Sequence, residues 1–500
     1  MSDSVLEKLK NAIWKRRPIL GEIMQKHGDK FLFDYAKDFM DVNVSPFLDA
    51  RKPELIDCAE KLIEKRLGSE VAKGVTKQLL KKPLVSTTDH HGPIQHPFFL
   101  NSNIISAIPY YETEDPDMKY LVVFSFASVS VNNSSTYTRG ILFHGHGDDS
   151  NSLIRLPFLP DKLKMGVVYA TRGYNREDLS KAEDELVKKD FDPGRGEKIR
   201  DLIEEFFANE QVMNSPDLNE QITEINFYLW RRLFHPVKEK KMPDLIYLEI
   251  ETLVTEMLLT NHLKNPDSLI YKVLFDPKFV ELNYKYFNNI PGAFSLEKDW
   301  GTYMFWALDE KLHRVRLTLK DGMLTSGHGS WNYEMTPEGI AQALRDKKIF
   351  PGMLICYLMV SLYYGMKCLG GFCQVNDLTQ TKKAWSDMLA ELDLTEEVNA
   401  LEPVQTKELG GDGMVLSYLK SKDGEAFPAM SFDMVLENED TSFETYVNLS
   451  KKVTMSEMMA PMLPEMYTVL YPIQERDQSL LEKNTPEEIL KQTGLAKKLL

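Results

Sequence analysis

The sequence predicts an α+β protein. A helical N-terminal region is followed by a central antiparallel or mixed β-sheet, then by a large helical region with a second small β element. Three observations carry this. Apolar residues recur at helical spacing in Leu55, Ile56, Ala59, Leu62, Ile63 and Leu67, which is one face of a helix. The run YLVVFSFASVSV (120–131) alternates and is rich in β-branched and aromatic residues, as strands are. Strand-like segments are grouped rather than alternating strictly with helices.

Residues 1–83 form the helical N-terminal region, in which Pro53 sits near a helix start and Pro83 closes the segment, positions where a missing N–H costs little. Residues 84–175 form a β-rich core, with YLVVFSFASVSV, RGILFHGH (139–146) and MGVVYATRG (165–173) as strands of one sheet. Residues 176–298 return to helix, including PDLIYLEIETLVTEMLLTNHL (243–263). Residues 299–500 read as an α+β region packed on the core. Within it YMFWALDEKLHRVRLTLKDGMLTS (303–326) is hairpin-like, with Asp-Glu and Asp-Gly turns. Thr336 before Pro337 opens a helix. Met353–Met366 is the most apolar stretch at 14 residues, too short to span a bilayer, and reads as a buried helix. GMVLSYLKSKDGEAFPAMSFDMVLE (413–437) gives the second β element, and Thr454–Glu457 and Thr485–Glu488 are capping boxes.

Composition narrows the function classes. A hydrophobic content of 43% in 500 residues supports a sizeable core. A net charge of −15 argues against binding duplex nucleic acid, which needs a basic face. Four cysteines, three of them in apolar surroundings, do not make a disulfide framework. The opening MSDSVLEKLKNAIWKRR lacks the order of a secretory signal. The expectation is a soluble, reduced, cytoplasmic protein with a small-molecule partner and neither nucleic acid nor membrane.

Five of the ten histidines lie between His90 and His146, where even spacing would place about one. The same window holds TTDHHGPIQHPFFLNSN (87–103) and SVSVNNSSTYTRGILFHGHGDD (128–149). Such groups are costly to bury unless they bind each other, a metal or a ligand. Gly92-Pro93 and Pro97 exclude a regular helix through DHHGPIQH.

Three readings follow. In the first, a polar substrate site, one of His90, His91 and His96 is the general acid/base. Asn101, Asn103, Asn132, Asn133 and Ser134 then orient the substrate, and Arg139 binds its anionic group bidentately. Arg172 adds a second cation. The second reading adds a divalent metal, because His144 and His146 share one face of an extended strand and Asp148 continues it. The third is a stiff loop whose polar side chains hydrogen-bond local backbone. If the two segments form one site, at least one of His90, His91 and His96 lies within hydrogen-bond or one-water reach of Asn132, Asn133, Ser134 or Arg139. Gly370-Gly371-Phe372-Cys373-Gln374 reads as a helix cap or core, and Ser326–Ser330 around His328 as a turn or a further contributor.

DHHGP (89–93) and GHGDDSN (145–151) locally resemble the metal-binding motifs of creatininase-like amidohydrolases. The resemblance covers about 12 of 500 residues and implies Asp89, His91, His146 and Asp148 as ligands. The aspartate that family places after its first motif falls here on Leu100, or with a gap on Asn101 or Asn103. The leading expectation is an enzyme acting on a small polar, anionic metabolite, with metal-dependent hydrolysis of a C–N bond as its narrower form. The alternative is a non-catalytic binding or scaffold protein.

Overall fold

Tyr120–Ser125 is buried at every position, so the strand needs cover on both faces. Cover on both faces is what a parallel sheet flanked by helices provides. The computed structural model describes residues 4–145, 152–188, 193–235, 241–327, 329–421, 424, 426–437 and 441–499. The elements that position the site are, in chain order, helix α1 (Lys52–Leu67), strand β1 (Leu84–Ser86), helix α2 (Pro97–Thr113), strands β2 (Tyr120–Ser125), β3 (Gly140–His144) and β4 (Leu153–Pro157), helix α3 (Leu218–Arg232), strand β5 (Asp244–Glu249), helices α4 (Ile250–Met257) and α5 (Leu269–Phe275), strand β6 (Lys367–Leu369) and helix α6 (Gln374–Glu391).

The protein is α+β, with many helices around several small sheets. The central sheet has the order β6-β1-β2-β5. All of its pairings are parallel, which corrects the antiparallel or mixed sheet that the sequence predicts. Its register sets Ser86 beside Leu369 and Ser125 beside Glu249, so four chain segments end at one edge. The sheet separates two cores. Leu121, Val123, Leu245 and Tyr247 face α2, whereas Val122, Phe124, Ile246 and Leu248 join α1 and α4. Each fully buried Val, Leu or Phe contributes about 1.5–3 kcal/mol.

Three further segments differ from the expectation. PFFLNSNIISAIPYYET is helix α2 and not part of a β-rich core; it is buried from Pro97 to Tyr111. A helix covered on all sides has no polar face and so shows no 3.6-residue stripe. DLIYLE, expected to be helical, is strand β5, and the helix begins only at Ile250. MGVVYATRG contains a short 3₁₀ turn at Val168–Ala170, tied to neighbours by single bridges at Val167 and Arg172. Within RGILFHGH, Gly140–His144 forms β3, which pairs with β4 in a separate two-stranded hairpin.

The later elements follow the sequence closely. Phe305–Leu308 pairs with Arg314–Arg316, and Thr318–Lys320 with Met323–Thr325, across the expected turns. Tyr418–Lys420 pairs with Ala426–Pro428. Thr336 caps its helix, and Thr454 and Glu457 form the full capping box; Thr485 accepts from Glu488 N. No described helix is long and apolar enough to cross a membrane. Gly370-Gly371 links β6 to α6, a strand-to-helix turn rather than a helix cap. A Cβ at Gly371 would sit 2.6 Å from Asp412 Oδ2, so any other residue there displaces that buried carboxylate.

The apolar stretch is helical from Met353, continues as a π-helical turn over Leu358–Tyr363, and is buried except at Met353. Leu358 is 1% exposed. Leu358→Asp therefore places an unpaired carboxyl in the core at a cost above about 4 kcal/mol. The expected outcome is aggregation or loss of the cooperative thermal transition. A soluble variant with an unchanged melting temperature contradicts the packing described.

Candidate functional site

Ligands of parallel sheets bind outside the carboxyl ends of the strands, and here that edge is polar. Asp89 and His91 follow β1, Ser125 ends β2, Glu249 ends β5 and Glu251 opens α4. Helix α1 delivers Arg66 from its last turn. Arg66 Nη1 and Nη2 lie 2.6 and 2.7 Å from Glu249 Oε2 and Oε1, and Nη1 donates to Thr223 Oγ1 of α3 at 3.1 Å. Both side chains of the pair are nearly inaccessible. Burial pushes the Glu249 carboxyl up, but the Arg66 charge and its hydrogen bonds outweigh that and hold it at about 2.

His91 is the next link. Its Nε2 lies 3.0 Å from the Asn219 carbonyl oxygen and 3.8 Å from Glu249 Oε2, and its Nδ1 lies 2.7 Å from Ser125 Oγ. A carbonyl only accepts, so Nε2 carries the hydrogen and Nδ1 accepts from the Ser125 hydroxyl. Burial lowers His91 to about 4, leaving it neutral near pH 7. Asp89 accepts from Tyr247 OH, from Asn103 Nδ2 at 2.9 Å and from Ser102 Oγ at 3.2 Å. Burial still raises its carboxyl to about 6. Glu251 accepts from the N–H groups of Ala127 and Ser128 at 2.9 and 2.8 Å, which pins the loop after β2. Its burial raises it to about 7.

A cleft of about 430 Å³ opens over this edge, lined by Arg66, Asn219, Glu249, Thr252, Glu256 and Arg345 among others. Arg66 Nε and Asn219 Oδ1 are buried and have no hydrogen-bond partner among the described residues. One is a donor and the other an acceptor. Both residues line the cleft, but these two atoms lie sealed beneath its wall; buried polar atoms are almost always paired in folded proteins, so both are exceptions.

The segments DHHGPIQH and VNNSSTYTRG do converge: His90 Nδ1 lies 3.3 Å from Asn133 Oδ1. That oxygen also accepts from Ser135 N, the turn role the sequence admits for it. Asn132 and Ser134 are exposed on the same loop. Arg139 is not directed at the histidines; its Nε donates to Leu159 O at 2.8 Å and Nη1 meets Asp161 at 3.2 Å. Arg172 pairs with Asp178. His96 Nδ1 accepts from Phe98 N and its Nε2 lies 3.4 Å from Glu465. Burial lowers both His90 and His96 to about 4. Asn101 spends its amide on Pro97 O, Ser417 Oγ and the N–H groups of Leu416 and Ser417. Asn103 spends its own on Asp89, Phe99 O and Tyr247 OH.

Of the metal set, Asp89 and His91 are engaged by protein groups on the atoms a metal would use. His146 and Asp148 lie outside the described residues, as does His328. His144 is tied to Asp433 at 2.6 Å. Among the described residues no three His, Cys, Asp or Glu side chains cluster closely enough to hold a metal ion.

Arg66, Asn219, Glu249 and Glu251 are the site residues that the sequence reading passes over. Glu249 and Glu251 sit in the run expected to be helical; read as a strand, DLIYLE delivers a carboxylate to the carboxyl edge. Asn219 carries no such signal. No protein-family model matches the chain, and no curated protein matches it either.

Glu251 supplies a pH test. Its carboxyl is raised from an ordinary 4.5 to about 7 in the folded protein. Its stabilising contribution is therefore complete below pH 4.5 and is lost as pH rises through 7. Glu251→Gln removes that dependence. In urea unfolding the variant should gain about 3 kcal/mol relative to wild type between pH 4.5 and pH 8. A difference that does not change with pH contradicts the burial of a chargeable group at this position.

Proposed function

We propose that the protein is an enzyme acting on a small polar metabolite that carries an anionic group beside a hydrogen-bond donor, of the 2-hydroxy-acid or α-amino-acid kind. Its site is the cleft at the carboxyl edge of the sheet. The observation that supports this is a polar cleft of about 430 Å³ in whose wall Arg66 and Asn219 each keep an unpaired polar atom, Nε and Oδ1, just beneath the surface. Rotation of these side chains on ligand entry would give the first to a carboxylate and the second to a hydroxyl or ammonium group. The lining also balances Lys65, Arg66, Arg345 and Lys347 against Asp217, Glu220, Glu249 and Glu256, an environment suited to a ligand bearing both polarities.

Of His90, His91 and His96, His91 is the one bonded to groups that line the cleft. It is the candidate acid/base group on this reading; both its ring nitrogens are bonded to protein groups and burial holds it neutral near pH 7. The metal-dependent form, hydrolysis of a C–N bond, rests on sequence spacing alone. Metal analysis of protein purified without a His-tag decides it.

A second reading, a non-catalytic binding or scaffold protein, is favoured by one observation. Gln95 and Asn226 brace the histidine loop through its backbone: Asn226 takes Ile94 N and gives to Gly92 O, and Gln95 bonds Thr136 O, Gly140 O and Leu142 N. That is the stiff polar corner of the third sequence reading.

Thermal denaturation with a panel of 2-hydroxy acids, α-amino acids and plain carboxylates tests the substrate class, and turnover of a stabilising compound separates an enzyme from a binding protein. The enzyme reading expects stabilisation of about 2.7 kcal/mol at a hundredfold excess over Kd by a member of the first two classes. Acetate should bind more weakly, since it leaves Asn219 Oδ1 unpaired. Indifference to all of them at millimolar concentration sinks the substrate class and favours the scaffold.

A further inference from the structure

At the opposite end of α1 lies a second cleft of about 340 Å³, lined by Arg51, Ser268, Lys272, Phe279, Tyr363 and Leu394 among others. Arg51 and Arg66 are 15 positions apart along α1 and its preceding residue, about 22 Å at the helical rise. The two clefts are therefore separate places.

Ser268 immediately precedes α5, where a serine hydroxyl ordinarily caps the first-turn N–H groups. It makes no such cap. Its Oγ lies 2.6 Å from His262 Nδ1 instead. His262 Nε2 lies 2.8 Å from Tyr364 OH, and Tyr364 OH donates to Glu54 Oε2 at 3.0 Å. The ionised carboxylate at the end of this chain can only accept, and that fixes the direction of every proton. The Tyr364 hydrogen goes to Glu54, so the Tyr364 oxygen accepts from His262 Nε2–H. That leaves Nδ1 bare to accept the Ser268 hydrogen. His262 and Tyr364 are 1% and 0% exposed, so their geometry is locked by packing. Burial lowers the imidazole to about 4, so it is neutral near pH 7.

A hydroxyl held against a base that a third group orients is the arrangement of an activated nucleophile. The Ser125–His91 pair has the same proton directions, but Ser125 is wholly buried and lines neither cleft. Ser268 is on a cleft wall.

We propose that Ser268 is the nucleophile of a second site that cleaves short-chain carboxylic esters, with His262 as general base and Tyr364 and Glu54 as positioning residues. Ser268 Oγ attacks the ester carbonyl carbon while its proton passes to His262 Nδ1. The tetrahedral intermediate collapses, the C–O bond to the alcohol breaks, and the same proton leaves on the alcohol. Water then attacks the acyl-serine, gives its proton to His262 and releases the acid, and Ser268 recovers its hydrogen. Phe279, Leu269 and Leu394 give the acyl chain an apolar wall, and Lys272 places positive charge on the same lining.

The test uses the full-length protein and a fluorophosphonate, which transfers phosphorus to an activated serine with loss of fluoride. Peptide mass spectrometry should find the adduct on Ser268, formed at least about 100-fold faster than on a free serine amide, the gain expected from a positioned base. Ser268→Ala should abolish both the adduct and hydrolysis of p-nitrophenyl butyrate at an unchanged melting temperature. Tyr364→Phe should slow labelling at least about tenfold and shift its pH profile, which a merely structural tyrosine does not do. The wild-type adduct is independent of any variant's folding. No adduct, or an adduct on another serine, overturns the proposal. Neither result bears on the carboxyl-edge cleft.

Discussion

The Arg66–Glu249 ion pair is the interaction on which the carboxyl edge depends. It joins the last turn of α1 to the last residue of β5, and through Thr223 it reaches α3. Burying two charges is expensive, and an apolar pair of equal volume is often as stable. Removing one partner is different: it strands the other charge at a cost of about 3–5 kcal/mol. A pair that stability alone does not require, set at the edge where parallel sheets bind ligands, is better explained by what it presents to the cleft. There the two terminal nitrogens of Arg66 are spent on Glu249 and Thr223, and its Nε is buried beneath the wall without a partner.

Around that pair the polar residues divide into two kinds. Asn101, Gln95 and Asn226 face backbone and hold the loops after β1 in place. Asp89, His91 and Glu251 are buried titratable groups held by neutral donors or by one another's neighbours. Gln95, Asn101, Asp89 and His91 come from the segments rich in His and Asn, whereas Asn226 comes from α3 and Glu251 from α4; several residues of those segments have partners other than the expected ones. Arg139 and Arg172, the expected anion clamps, end on Asp161 and Asp178.

The fold was legible wherever chemistry is local. The Asp-Gly turn, the Thr336 cap and the Thr454–Glu457 box depend on neighbouring residues, and all of them form. Two of the failures share one cause, burial on every side. Helix α2 and strand β5 have no solvated face, so neither shows the period that distinguishes helix from strand. The same burial hides the parallel topology, since β6 joins β1 from more than 280 positions away. Convergence of His90 on Asn133 was readable because the two segments flank the strand-like run that becomes β2, although helix α2 also lies between them. The Arg66–Glu249–His91 constellation was not, because it assembles residues 66, 91 and 249 through that long-range sheet.

The most direct measurement is the ¹⁵N–¹H resonance of Arg66 Nε, identified by its disappearance in Arg66→Lys, during titration with glycolate, the smallest 2-hydroxy acid. The account predicts a saturable shift of that resonance, larger than that of any surface arginine. A resonance that stays in place, or drifts without saturating as exposed arginines do, contradicts a ligand-binding floor at the carboxyl edge.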